Sequence, residues 1–163
     1  MKLLSIFAIL FLNAVAFGQN KSSEKVYSTF QVNGYITEYA FGGGALVSFG
    51  YHKNGFCIGP GLGIVLIGHD NPYIPLYANI AYVGGKSKVS PMANMQFGKG
   101  VYAGDNGKGG FYGLITAGAG VKFNKVRLHL FGGLSFMNNV YAGIDNDVNE
   151  QVLTAGISFF TTN

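Results

Sequence analysis

Hydrophobic and polar residues alternate along most of this chain with a period of two. From Phe111 to Phe123 the odd positions are Phe111, Gly113, Ile115, Ala117, Ala119, Val121 and Phe123, while the even ones are Tyr112, Leu114, Thr116, Gly118, Gly120 and Lys122. One row is wholly apolar; the other mixes small, polar and charged groups. The pattern recurs. Val126, Leu128, Leu130, Gly132, Leu134 and Phe136 oppose Arg127, His129, Phe131, Gly133 and Ser135. Val89, Pro91, Ala93, Met95 and Phe97 oppose Ser90, Met92, Asn94 and Gln96, and Leu153, Ala155, Ile157 and Phe159 oppose Val152, Thr154, Gly156 and Ser158. Near the start, Val26, Phe30, Val32 and Ile36 oppose Tyr27, Thr29, Gln31, Asn33, Tyr35 and Thr37. A period of two is the signature of strands, whose successive side chains point to opposite faces. It predicts eight of them, at 26–37, 43–51, 55–67, 74–84, 88–98, 111–124, 125–137 and 151–161.

The spacers alternate in length. YHKNG (51–55), GGKSK (84–88) and Asn124-Lys125 are short turns. GHDNPY (68–73), KGVYAGDNGKGG (99–110) and NNVYAGIDNDVNE (138–150) are longer and polar, and only the connection near 38–42 is cramped. Short turns at one rim and long loops at the other is the organisation of a transmembrane β-barrel. Dimensions agree. Phe111 and Phe123, twelve residues apart on one face, would lie roughly 30 Å apart along the membrane normal at ~3.3 Å per residue and a tilt near 40°; Val126 to Phe136 gives roughly 25 Å. Both suit an apolar band bordered by aromatic girdles. The short-turn girdle is expected to comprise Tyr51, Phe56, Tyr82, Phe123 and Phe159, and the opposite one Phe97, Phe111 and Phe136.

Period alone does not say which face turns outward; a soluble β-sandwich or lipocalin-like barrel has the same alternation with its apolar face inside. Composition decides. Charged residues are 11% of the chain, against about 25% in soluble domains. The polar faces carry Tyr, Thr, Asn, Ser and Gly, too little charge for a water-exposed surface. No charge falls on the apolar rows of the last four expected strands, where Arg or Lys at mid-membrane costs about 2–4 kcal/mol. Lys122, Arg127 and His129 fall on the other face and, with Gln96 and Asn94, are expected to form a polar cluster in the lumen. The 26 glycines show no collagen-like period; those within strands permit curvature and close packing in a narrow barrel.

The ordered stretches Gly50-Tyr51, Gly59-Pro60-Gly61-Leu62-Gly63, Ile74-Pro75-Leu76-Tyr77-Ala78, Ser90-Pro91, Gly109-Gly110-Phe111-Tyr112 and Gly118-Ala119-Gly120-Val121-Lys122-Phe123 resemble those of small Gram-negative outer-membrane β-barrel proteins. The resemblance, strongest over 45–137, is to the eight-stranded OmpA/OmpX type. It implies an all-β, antiparallel up-and-down transmembrane barrel in the outer membrane, with outer-membrane lipid and the barrel assembly machinery as partners. It implies no single activity.

Residues 1–18 (MKLLSIFAILFLNAVAFG) read as a secretory signal peptide: Lys2, an apolar run from Leu3 to Leu12, then small residues at Ala14, Ala16 and Gly18. Cleavage is expected after Gly18, or alternatively after Ala16, which leaves 19–163 as one barrel domain. A lone Cys57 excludes a disulfide scaffold, and 15% aromatics with a net charge of +4 exclude a disordered chain. The cations are scattered, so no nucleic acid is expected.

Enzymatic chemistry finds little support. Ser135 stands six residues from His129 on the same face, roughly 20 Å along the strand, too far for a hydrogen bond. Gly85-Lys86-Ser87 lacks the upstream glycine and the following helix of a phosphate loop, and reads as a hairpin turn. Asp145, Asp147 and Asn149 match the first ligands of a calcium loop, but Glu150 replaces the required glycine, leaving at most a loose cation site. Cys57 is expected in the lumen as an inert thiol. No cofactor, structural metal or catalytic residue is expected. The sequence thus favours a monomeric, non-enzymatic barrel with a membrane-structural role or one exerted through its extracellular loops, whose ligand it does not reveal. A soluble barrel holding an apolar ligand, and a lipid-modifying enzyme centred on His129, are the alternatives.

Overall fold

A computed structural model describes residues 25–37, 41–67, 72–84, 88–103, 109–138 and 149–162. They form eight strands: β1 (Lys25–Ile36), β2 (Phe41–Lys53), β3 (Phe56–Ile67), β4 (Tyr73–Val83), β5 (Val89–Tyr102), β6 (Gly109–Phe123), β7 (Val126–Asn138) and β8 (Asn149–Thr162). Each pairs antiparallel with its sequence neighbour, and β8 returns to β1, closing the barrel. The closing seam runs from Tyr27 opposite Thr162 to Ile36 opposite Leu153, and Ser28 Oγ and Thr161 Oγ1 meet across it at 2.7 Å. Closure leaves no sheet edge with unpaired backbone, which a chain in hydrocarbon requires. The expected signal peptide lies outside the described residues.

Two hairpins define one end, here the turn rim. Asn54 and Gly55 both have positive φ (53° and 87°) between the paired residues Lys53 and Phe56. This is the conformation that Asn-Gly favours in a two-residue turn. Asn124-Lys125 joins the paired Phe123 and Val126, with Asn124 at φ 55°. β2 therefore runs on to Lys53, and only two of the five expected turn residues lie outside strands. At the opposite loop rim, β5 continues to Tyr102 and β6 begins at Gly109, so Lys99–Tyr102 are strand rather than loop.

The faces divide as the alternation predicts, apolar side outward. Ile58, Leu76, Leu130 and Leu153 are 58–67% exposed, while Gln31, Gln96, Thr116, Ser135 and Ser158 are at most 2% exposed. Ile115 points outward and Thr116 inward. A soluble barrel would reverse this. One correction follows from the longer β5. Lys99 lies on the outward row with Phe97 and Val101, opposite Leu76 and Phe111. It stands three residues from the strand end, where a lysine stem can lie along the apolar surface with its ammonium at the interface, and where the penalty falls to about 0–1 kcal/mol.

Inside, two apolar layers flank a polar tier. Tyr35, Leu46, Val65, Tyr73, Tyr77, Tyr112, Leu114 and Met137 fill the loop-side half. Tyr27, Cys57, Ala81, Val83, Met92, Phe131 and Phe160 fill the turn-side half. An eight-stranded barrel is just wide enough for its side chains to fill. Here large rings fit because glycines face them: a Cβ on Gly61 would overlap the Tyr77 ring, and one on Gly120 the His129 ring.

Candidate functional site: a sealed lumen and a basic mouth

Hydrogen bonds tie the wall together across the polar tier. Gln96 Nε2 donates to Gln31 Oε1 at 2.8 Å, and Tyr112 Oη donates to Gln96 Oε1 at 3.0 Å. Gln31 is on β1 and Gln96 on β5, which stand opposite in the ring of eight, so this bond crosses the diameter. Asn79 Nδ2 donates to Tyr27 Oη (2.9 Å) and Asn33 Nδ2 to Tyr35 Oη (2.9 Å); Tyr77 Oη donates to the Val47 carbonyl (3.0 Å) and pairs with Ser48 Oγ (3.1 Å). Ser135 Oγ and Thr154 Oγ1 pair between β7 and β8. These bonds offset part of the cost of burying amides and hydroxyls, while Thr29 Oγ1, Asn33 Oδ1, Asn79 Oδ1, Asn94 Oδ1 and Thr116 Oγ1 have no partner among the described residues. The result is a plugged lumen.

The five residues expected to form one polar cluster fall at separate levels. Gln96 belongs to the Gln31–Tyr112 network, and Asn94 stands opposite Thr116 in the same tier. His129 stands opposite Gly120, four residues nearer the turn rim than Thr116, which is about 13 Å along the strand. Arg127 and Lys122 stand opposite each other at the rim itself. Up-and-down strands order residues by depth, so a shared inward row does not imply contact.

His129 is fully buried, and among the described residues neither ring nitrogen has a hydrogen-bond partner. Ser135 is engaged with Thr154. The register reveals a nearer serine that the spacing argument missed: Ser158 stands directly opposite His129 across the β7–β8 ladder. Its hydroxyl, however, donates to Met92 Sδ at 3.8 Å. Both residues are sealed from solvent, and no described carboxylate orients the imidazole. Among the described residues Ser158 and His129 form no hydrogen bond with each other, and both are buried. The Phe160 ring meets the His129 ring edge-on at 6.2 Å.

Of the expected aromatic girdles, Phe56, Tyr82, Phe123, Phe159, Phe97 and Phe111 point outward and are exposed, and Tyr51 and Phe136 are half-buried on the same face. Phe56 and Tyr82 pack at 5.1 Å. Phe97 and Phe136 flank Gly113 in the ladders, and a Cβ there would come to 2.9 Å from Phe111 Cε1, so the three loop-side phenylalanines gather over one glycine. Phe159 of the expected girdle packs at 6.4 Å against Phe30, an outward residue outside the expected girdles. Cys57 is buried and free, on the lumen side. Of the loop cation candidates, Asp145 and Asp147 lie outside the described residues, as does the side chain of Asn149; among the described residues no group of three potential ligands gathers.

A concavity opens at the turn rim, with a volume of about 970 Å³. Lys25, His52, Lys53, Lys122, Lys125 and Arg127 line it, together with Tyr82 and Phe160. Arg127 Nη1 donates to the Gly84 carbonyl at 3.4 Å, and His52 meets the edge of the Phe160 ring at 6.2 Å. Thus one ring, Phe160, has an imidazole at its edge both here and in the sealed interior. The sequence reading treated the cations as scattered. The barrel gathers them, because the hairpins and strand ends that carry them meet at one rim. Every Asp and Glu except Glu24 falls in the opposite sense, in the connections between β1 and β2, β3 and β4, β5 and β6, or β7 and β8, or at the start of β8.

Comparison with solved structures places the architecture. The crystal structure of Neisserial surface protein A (NspA) matches with a TM-score of 0.57 and 14% identity, over 86% of this chain and 96% of that one. The crystal structure of the outer membrane enzyme PagL matches with a TM-score of 0.55 and 12% identity, over 82% of this chain and 98% of that one. No protein-family model and no curated protein matches the sequence. The chain has the eight-stranded fold of the small outer-membrane barrels.

Proposed function

We propose, starting from this shared fold, that the protein resides in the bacterial outer membrane as a non-enzymatic barrel, with a membrane-structural role or one exerted through the long connections at its loop rim. One observation carries the reading: the inversion of the faces, with a ring of exposed Ile, Leu, Val and Phe around a hydrogen-bonded polar interior. Such a surface is stable only against hydrocarbon, since contiguous exposed apolar area of this extent is foreign to soluble monomers. The plugged lumen speaks against a diffusion channel. The engaged Ser135 and Ser158, and the sealed His129, speak against acyl-transfer chemistry.

Cell fractionation with carbonate extraction tests location. The protein should stay with the outer-membrane pellet and migrate faster on gels before boiling than after. Release into the supernatant would instead support the soluble, ligand-binding alternative. Activity is tested separately by lipid profiles of cells carrying His129→Ala: an unchanged profile is expected, and a lost deacylated or acylated species would establish an enzyme.

A further inference from the structure

We infer that the turn-side interior holds a binding site for a soft monovalent metal ion, of the copper(I) and silver(I) class, between His129 and Met92. His129 is fully buried, and among the described residues neither of its ring nitrogens has a hydrogen-bond partner. Burying an unbonded imidazole is costly, and an apolar side chain would fill the same space without that cost. Met92 comes to it from across the bore. It is 6% exposed, on β5 opposite Gly118, and its Sδ lies 3.8 Å from Ser158 Oγ on β8. To reach β8 from β5 the thioether crosses in front of β6 and β7, and His129 is the β7 residue directly opposite Ser158. β6 leaves the space clear. Gly118 and Gly120 occupy its inward row there, and the His129 ring lies over Gly120, where a Cβ would overlap it. A thioether is a soft ligand that selects copper(I), and imidazole suits copper as well. Among the described residues no cluster of three His, Cys, Asp or Glu offers a site of higher coordination; a soft monovalent ion accepts two ligands. Ser158 completes the arrangement. With the sulfur lone pair given to the metal, the Ser158 hydroxyl is released to accept a hydrogen bond from the second ring nitrogen, the outer contact that metal-bound histidines commonly make. Phe160 lines the turn-rim cavity and is edge-on to His129, so this ring stands between the site and the mouth.

Silver nitrate in chloride-free buffer is the probe. Cys57→Ala is the background, so that the buried thiol cannot bind in place of the thioether. The full chain, with isotope-labelled methionine methyl groups and histidine rings, is refolded in zwitterionic detergent with and without an equivalent of Ag⁺ and followed by NMR. The Met92 methyl and the His129 ring nitrogens should shift together. The methyls of Met95, on the outward face, and Met137, in the loop-side layer, should stay in place. Calorimetry should give a site whose affinity falls about tenfold or more in Met92→Leu and likewise in His129→Gln, and from which Mg²⁺ in large excess does not displace Ag⁺. A shift of neither group, or of only one of them, overturns the inference. So does binding that persists undiminished in either variant, or equal competition by Mg²⁺. Stability offers a second readout: Ag⁺ should raise the urea midpoint of the Cys57→Ala chain and leave that of the chain also carrying Met92→Leu where it is. Should His129→Gln fail to refold, Met92→Leu, which conserves side-chain volume, and the paired shifts in the Cys57→Ala chain decide the matter.

Discussion

Replacing Gly61 with Ala places one methyl group against the interior, and the structure sets its consequence. The new Cβ would overlap Cε2 and Cζ of Tyr77 and lie 2.7 Å from its Oη. Tyr77 has little freedom to yield. It is 3% exposed, its ring packs against Tyr112 at 5.5 Å, and its hydroxyl is held by the Val47 carbonyl and Ser48. Overpacking a filled core costs about 1–3 kcal/mol. Displacing the ring also loosens two hydrogen bonds, each worth about 1 kcal/mol net. Set against the roughly 0.5–1 kcal/mol that Ala gains over Gly within a strand, Gly61→Ala should lose about 2–4 kcal/mol. Gly34→Ala is the internal control: it faces outward, and its Cβ would meet nothing nearer than the Ala155 carbonyl oxygen at 3.7 Å, so it should be neutral or slightly stabilising. Equilibrium urea unfolding in phospholipid vesicles, read from the folded and unfolded gel bands, measures both. Adding Tyr77→Leu to Gly61→Ala should recover at least about 1 kcal/mol relative to the sum of the single changes, since the clash is shared. Equal stability of Gly61→Ala and Gly34→Ala, or strict additivity in the cycle, would refute the claim that the glycine exists to house the ring.

Three further outcomes are expected. Ile115→Lys, on the outward face, should destabilise the barrel in vesicles by about 2–4 kcal/mol, whereas Lys99→Leu near the loop rim should shift the urea midpoint by no more than about 1 kcal/mol equivalent in either direction. Gln31→Ala breaks the bond across the diameter and strands the Gln96 amide, so a loss of about 1–3 kcal/mol should appear in the same assay. The Gln31→Ala/Gln96→Ala variant should still show no stepwise conductance in planar bilayers, because Tyr27–Asn79 and Tyr77–Ser48 close the bore on either side; clear single-channel steps would contradict the packing described.

The strands and their facing were legible because each depends on a local quantity. Alternation from Val126 to Phe136 defines a strand by itself, and the scarcity of charge says which side meets hydrocarbon. Strand ends were less legible. Lys99-Gly100-Val101-Tyr102 resembles loop in composition, yet it extends β5 because residues 73–76 of β4 and 109–111 of β6 supply partners that only the closed sheet provides. The interior was legible as a list and not as a map. Gln96 sits on the expected face, but its partner Gln31 is 65 residues away on the opposite wall. The His129–Ser158 juxtaposition follows from β7–β8 register, which spacing within one strand cannot give. The basic mouth was hidden for the same reason: Lys25, Lys53 and Lys122 are far apart in sequence, and only the alternation of short and long connections brings them to one end. Noting that the cations flank the short connections while the acids crowd the long ones would have exposed it.

The tie between Gln31 and Gln96 also bears on what this molecule can become. In a cylinder of staves the bore is set by their number, and eight leave room for little besides the fittings that brace them. Trimming those braces would hollow out isolated chambers, each still walled off by the next tier of tyrosines. To turn such a body into a conduit, selection would have to insert additional hairpins, a far larger step than substituting any residue that now lies within it.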